Sequence, residues 1–202
     1  LHGMLSNGTY NSLGCTNVYW DFVELPSQIM ENWVYEKECL DLFAMHYQTN
    51  EKMPDDLISK IKKARIFQEG IATLRQIAFS VLDISYHTDI EIIDDVEKHE
   101  KNTIEKILPL PMENDTNLSC SFSHIFNGGY SAGYYSYKWA EVLDADAFEY
   151  FKENGIFNKD VANKFKENIL SKGGSEHPMD LYVKFRGKKP NIEALLRRSG
   201  LV

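Results

Sequence analysis

Phe122-Ser-His-Ile-Phe-Asn-Gly-Gly-Tyr-Ser-Ala-Gly-Tyr-Tyr-Ser-Tyr-Lys-Trp139 holds one histidine, three glycines and four tyrosines in eighteen residues. Gly128, Gly129 and Gly133 free the backbone for positive φ and for movement, whereas Tyr130, Tyr134, Tyr135 and Tyr137 carry hydroxyl donors. Two readings fit these residue types. One is a Gly-rich turn entering a helix whose tyrosines are core; the other is a working loop whose phenols meet a ligand. In either case the stretch leads into a helix from about Ala132 to Asn154, closed by Gly155. Tyr134 and Tyr137 then share a helical face, and Tyr135 points elsewhere as packing. Trp139 and Trp20 read as core.

Outward from this stretch the chain reads as helix after helix. Before it, Pro26 sits at a first-turn position, and Ile29, Trp33, Cys39, Leu40, Phe43 and Ala44 recur at helical steps to about Tyr47. A short helix follows Asp55 and Asp56, a longer one runs from about Phe67 to His87, and an amphipathic one from Ile90 to Leu108 stops at Pro109 and Pro111. In the longer one, Ile71, Leu74, Ile77, Ala78, Val81 and Leu82 form the apolar side. After the stretch, Asp160 is the expected cap of a helix to Leu170, Gly173-Gly174 ends it, and Pro178 and Pro190 introduce the last two. Residues 1–25, punctuated by Gly3, Gly8 and Gly14, read as loop. No strand-like alternation follows residue 25, so the fold class is mainly α.

Composition narrows the function classes. At 202 residues, 43% hydrophobic and 26% charged, the chain can bury a core and reads as a single domain. A net charge of −8 opposes nucleic-acid binding through a basic face. Lys60, Lys62, Lys63 and Arg65 read as a solvated helix flank. Cys15, Cys39 and Cys120 are odd in number and lack a C-x-x-C pair, which fits neither a disulfide framework nor a thiolate zinc site and suits a reducing compartment. No apolar run approaches the ~18 residues that suggest a membrane span.

A second stretch, Tyr19-Trp-Asp-Phe-Val-Glu-Leu-Pro-Ser-Gln-Ile-Met-Glu31, gathers the carboxylates of Asp21, Glu24 and Glu31 beside aromatic residues. Local pattern alone also allows Asp21 and Glu24 to be helix-start residues favoured by the macrodipole. Taken with Leu1-His-Gly-Met-Leu, the Phe122–Trp139 stretch, Gly173-Gly-Ser-Glu-His-Pro-Met179 and Phe185-Arg-Gly, the D-F-V-E-L-P-S-Q block resembles the thimet oligopeptidase family of zinc metallopeptidases. The bacterial oligopeptidase branch fits best and the peptidyl-dipeptidase branch next, and the likeness runs across essentially the whole chain.

The resemblance implies a helical portion of a zincin-type catalytic domain. In that family an H-E-x-x-H helix supplies two zinc ligands and the general base, and a glutamate matching Glu24 supplies the third ligand. This sequence contains no H-E-x-x-H. Because the family follows that motif with L-H-G, the chain is expected to be a carboxy-terminal segment starting just after it, with His2 the non-ligand histidine of L-H-G. Zinc is therefore the expected cofactor of the full-length enzyme and is not expected on these residues alone, which should be inactive. The resemblance also gives His124, Tyr130, Tyr134 and Tyr137 to substrate binding, with Tyr137 facing the oxyanion and Tyr130 and His124 its catalytic companions. Expected partners are short peptides and the missing amino-terminal part, in the cytoplasm, without nucleic acid or membrane; apolar surface left uncovered would favour self-association. The rival readings are a peptidase releasing carboxy-terminal dipeptides and a non-catalytic helical interaction module. His46, His87 and His99 read as surface or internally satisfied residues, and His177 as a neighbour of the cleft.

Overall fold

A computed structural model describes residues 1–88, 92–113 and 115–202. The fold class is mainly α as expected: among the described residues there is no strand, and Met45 and Lys52 form an isolated antiparallel bridge. The chain forms two compact units, Leu1–Phe67 with Ala140–Val202, and Gln68–Trp139. No helix of the described residues is long and apolar enough to cross a membrane.

In the first unit, Phe22, Leu25 and Ile29 are buried against Leu143, Phe148 and Phe151 of the helix Ser136–Asn154. Phe165, Leu181 and Phe185 complete that core. Each such side chain, fully buried, contributes about 1.5–3 kcal/mol. Trp33 meets Phe148 and Phe151 edge-on with ring centroids 4.7 and 5.0 Å away, and its indole N–H donates to the Ile156 carbonyl at 3.0 Å.

The single helix expected from Pro26 to Tyr47 is broken into Leu25–Glu31, a 3-10 turn Asn32–Tyr35 and Lys37–Phe43. Asn32 accounts for much of the break. Its Nδ2 donates to the Ile29 carbonyl at 3.2 Å and to Asp144 Oδ1 at 2.8 Å, an alternative to helical hydrogen bonding that asparagine readily offers. Glu36 then takes extended backbone. Phe43 and Tyr47 lie exposed beyond it, with Leu42 and Met45.

Asn158, two residues ahead of the expected Asp160, caps the next helix by accepting from Asp160 N and Val161 N. The irregular first residues are tied down by the Gly173-Gly174 turn. Gly174 N donates to the Leu13 carbonyl at 2.8 Å, and Gly173, at φ +52°, approaches so closely that a Cβ would sit 2.0 Å from that oxygen. No other residue type fits there.

In the second unit the helix Glu69–Thr88 buries Ala78, Phe79, Leu82 and Asp83. Of the apolar side expected from sequence, Ile71, Ile77 and Val81 are instead exposed. The buried face is rotated toward Phe79 and Asp83 because Ile104, Phe122, Ile125 and Tyr134 pack there. Asp95 caps the helix Val96–Ile104, accepting from Lys98 N at 2.9 Å; the expected start at Ile90 lies outside the described residues. Within that helix Glu100 is buried and collects Leu118 N, Ser119 N and the Ser119 hydroxyl at 2.5–2.9 Å.

Candidate active site

Glu24 belongs to the first unit. It stands between the four-residue helix Trp20–Val23 and the helix Leu25–Glu31, half-buried, with Phe22, Leu25 and Ile29 turned into the core around it. The Ser27 hydroxyl donates to Glu24 Oε2 at 2.7 Å and lies 3.0 Å from the Glu24 carbonyl, which fixes the carboxylate's orientation. Trp20 is 51% exposed rather than core. Residues two apart on a helix face opposite ways, so the inward turn of Phe22 sends the indole out. His2 is buried, and neither ring nitrogen has a hydrogen-bond partner among the described residues; burial lowers its pKa. His177 caps the helix Pro178–Arg186, accepting from Met179 N at 3.2 Å, and its ring lies 5.7 Å from that of Tyr19.

The tyrosine stretch belongs to the second unit, where four of the residues singled out from sequence come together. The His124 ring lies 6.2 Å from Tyr130, 5.7 Å from Tyr134 and 6.0 Å from Tyr137. Tyr130 and Tyr137 stack at 5.0 Å with planes 22° apart. Tyr134 is the floor of the group: its ring is buried against Phe79 and Phe122, and burial raises its phenol pKa. Tyr130 and Tyr137 are half-buried and His124 is exposed.

The local backbone differs from the expected helix starting at Ala132. The helix begins at Ser136, so Tyr134 and Tyr137 meet, at 5.2 Å, across a turn rather than along a helical face. Gly129 takes positive φ, but the second left-handed position falls on Ala132, at φ +55°, and not on Gly133. Gly128 is needed for a close approach instead: a Cβ would lie 2.8 Å from the His124 carbonyl oxygen. Tyr135, expected to pack, is 45% exposed, and Ser136 takes the buried position beside it. Trp139 is 39% exposed, at the margin of a buried stripe made by Ser136, Ala140 and Leu143.

What holds this unusual backbone is Asp83, which sequence reasoning passed over. Its carboxylate, fully buried, accepts Ala132 N at 2.9 Å on Oδ1 and Tyr134 N at 2.8 Å on Oδ2. His87, one turn on, places Nδ1 3.0 Å from Oδ1 and 2.7 Å from the Asp83 carbonyl. A buried carboxylate is tolerated only with such donors. The available signal was an aspartate in the apolar half of a helix, four residues before a histidine.

A zinc ion needs three or four such ligands. Among the described residues no group of three His, Cys, Asp or Glu side chains could hold a metal. Glu24, hydrogen-bonded by Ser27, is a single carboxylate and makes no such group by itself.

Residues 1–201 match the profile of peptidase family M3. Over 100% of its length the chain is 43% identical to oligopeptidase A of Escherichia coli, covering 30% of that protein. It is 44% identical, over 94% of its length, to a probable cytosolic oligopeptidase A of Arabidopsis thaliana, covering 28% of it. Dipeptidyl carboxypeptidase of Escherichia coli is 37% identical over the whole chain, again 30% of the relative. The chain thus spans less than a third of the length of these relatives. On the match of residues 1–201, the chain belongs to peptidase family M3.

Proposed function

We propose that this chain supplies one metal ligand and the substrate-binding tyrosines of a zinc-dependent oligopeptidase that hydrolyses short peptides. Two histidine ligands and a general-base glutamate would come from an H-E-x-x-H helix outside these 202 residues. The observation that carries the reading is the convergence of His124, Tyr130, Tyr134 and Tyr137, each singled out from sequence, on one aromatic cluster.

Zinc held by two imidazoles and a carboxylate supplies a water nucleophile near neutral pH. The residues of this chain have separate tasks. Glu24 gives its carboxylate as ligand, held in one orientation by the Ser27 hydroxyl. Tyr137 donates its hydroxyl to the peptide carbonyl oxygen as negative charge develops there, a contribution of about 3–4 kcal/mol for one well-aimed donor. Tyr130, stacked on Tyr137, and exposed His124 hold the substrate backbone, and Tyr134 backs them from beneath. Asp83 and His87 are positioning residues that keep the loop's amides in place. By itself the 202-residue chain hydrolyses no peptide.

The oligopeptidase reading takes precedence over dipeptide release because identity to the oligopeptidase A relatives exceeds that to the dipeptidyl carboxypeptidase. The cytoplasm is the proposed location, in keeping with the name of the probable cytosolic relative. The test is Glu24→Gln in the enzyme that includes the H-E-x-x-H helix. Zinc affinity should fall by more than the 10–100-fold or so typical of a residue that only orients a ligand. Unchanged zinc content after dialysis would remove Glu24 from the metal.

A further inference from the structure

The basic residues read from sequence as a solvated flank are not all solvated. Lys62 and Arg65 line a cavity of about 520 Å³ in the first unit, within the size range of small-molecule sites. Lys152, Arg197 and Arg198 also line it. Their carboxylate partners are unevenly shared. Glu149 forks onto Arg197, and Asp144 pairs with Arg198. Glu36 alone serves both Lys62, at 3.2 Å, and Lys152, at 3.7 Å, while Glu153 is taken by Arg186.

Among the described residues no carboxylate lies within ion-pair distance of Arg65. Its guanidinium lies 4.1 Å over the Tyr35 ring and gives one hydrogen bond, at 3.3 Å, to Asn32 Oδ1. That same oxygen accepts from Arg198 at 3.0 Å, so two guanidinium groups converge on one neutral acceptor. Burial first, and the Arg198 charge second, pull the Arg65 pKa below its ordinary value. A guanidinium carries five N–H donors, and among the described residues one of those on Arg65 is engaged in a hydrogen bond. Tyr35 fixes its plane, and fixed planar forks suit carboxylate and phosphate oxygens. Phe148 and Ile66 give the cavity an apolar wall beside these donors.

We propose that this cavity binds a small anion, a carboxylate or phosphate head on a compact organic body, with Arg65 as its principal contact and Lys62 and Lys152 as supporting charges. The proposed peptide hydrolysis makes no use of these residues. The same chemistry could be met by a phosphate or by an organic acid, and the experiment separates them.

Calorimetric titration of the protein with inorganic phosphate and with succinate, against sodium chloride at matched ionic strength, is the test. Saturable binding of phosphate, succinate or both is expected. Arg65→Gln should weaken it about tenfold or more, and Lys63→Gln, an exposed charge outside the cavity, should leave it unchanged. Preference for one probe identifies the head group. If Arg65→Gln loses native far-UV circular dichroism, Tyr35→Leu, which removes the stack and keeps the charge, carries the same expectation of weakened binding. Equal heats with chloride, no saturable binding of either probe, or affinity unaltered in the folded variant would overturn the proposal.

Discussion

Replacing Asp83 by alanine should loosen one loop and leave the rest of the fold in place. The side chain is fully buried and accepts two backbone N–H groups, from Ala132 and Tyr134, that have no other role in the helix beginning at Ser136. Hydrogen bonds to a charged group are worth about 1.5–3 kcal/mol each, so losing both removes about 3–6 kcal/mol. The low end is taken as the floor of the effect, because the freed Ala132 amide lies in an exposed turn and can rehydrate, whereas the Tyr134 amide is buried. His87 is not stranded, since its Nδ1 keeps the Asp83 carbonyl at 2.7 Å. About 3 kcal/mol corresponds to roughly a hundredfold, at tenfold per 1.4 kcal/mol. Amide hydrogen exchange of the Asp83→Ala chain should therefore be about a hundred times faster at Ala132 and Tyr134, with Leu181 and Tyr182 unchanged. Asp83→Asn, which keeps one acceptor and sets an N–H₂ against an N–H, should fall between. Unaltered exchange at both loop amides would refute the assignment of Asp83 as the anchor, and equal acceleration at Leu181 would show a global effect instead.

Two other substitutions probe the packing on which the site rests. Gly128→Ala places a Cβ 2.8 Å from the His124 carbonyl oxygen and 2.9 Å from its Cα, so the loop must shift; a loss of about 1–3 kcal/mol in denaturant unfolding is expected, and a neutral change would show that the approach is slack. Tyr182→Phe removes a buried hydroxyl that donates to Asp146 Oδ2 at 2.7 Å and lies 3.1 Å from the Leu143 carbonyl. Leaving that buried carboxylate short of a donor should cost about 1–3 kcal/mol of stability by the same measurement, and a stability gain would mean that Arg186 and Lys188 compensate it without the phenol.

Helix content was legible in the sequence because periodicity and prolines are local signals, whereas His124, Tyr130, Tyr134 and Tyr137 were singled out through the family resemblance. The face of Glu69–Thr88 was not legible. Hydropathy assigns Ile77 and Val81 inward and Asp83 outward, and distant partners reverse that order: the packing of Ile104, Phe122, Ile125 and Tyr134, and the two amides of a loop some fifty residues on. The same holds for Asn32, whose role as a helix breaker depends on Asp144, and for Arg65, which leaves solvent because Tyr35 and Asn32 offer it a surface. Buried polar residues satisfied by distant partners are where one-dimensional patterns lose sight of the fold. The tryptophans failed for a simpler reason: Trp20 and Trp139 sit beside core positions already taken by Phe22 and by Ser136 and Ala140.

The most direct test of the account is the kinetics of Tyr137→Phe in the enzyme that includes the H-E-x-x-H helix, with a short quenched peptide as substrate. Removing only the hydroxyl should lower kcat about 10²–10³-fold with little change in KM, the mark of a donor engaged mainly in the transition state. Equal kcat in the two proteins would contradict it.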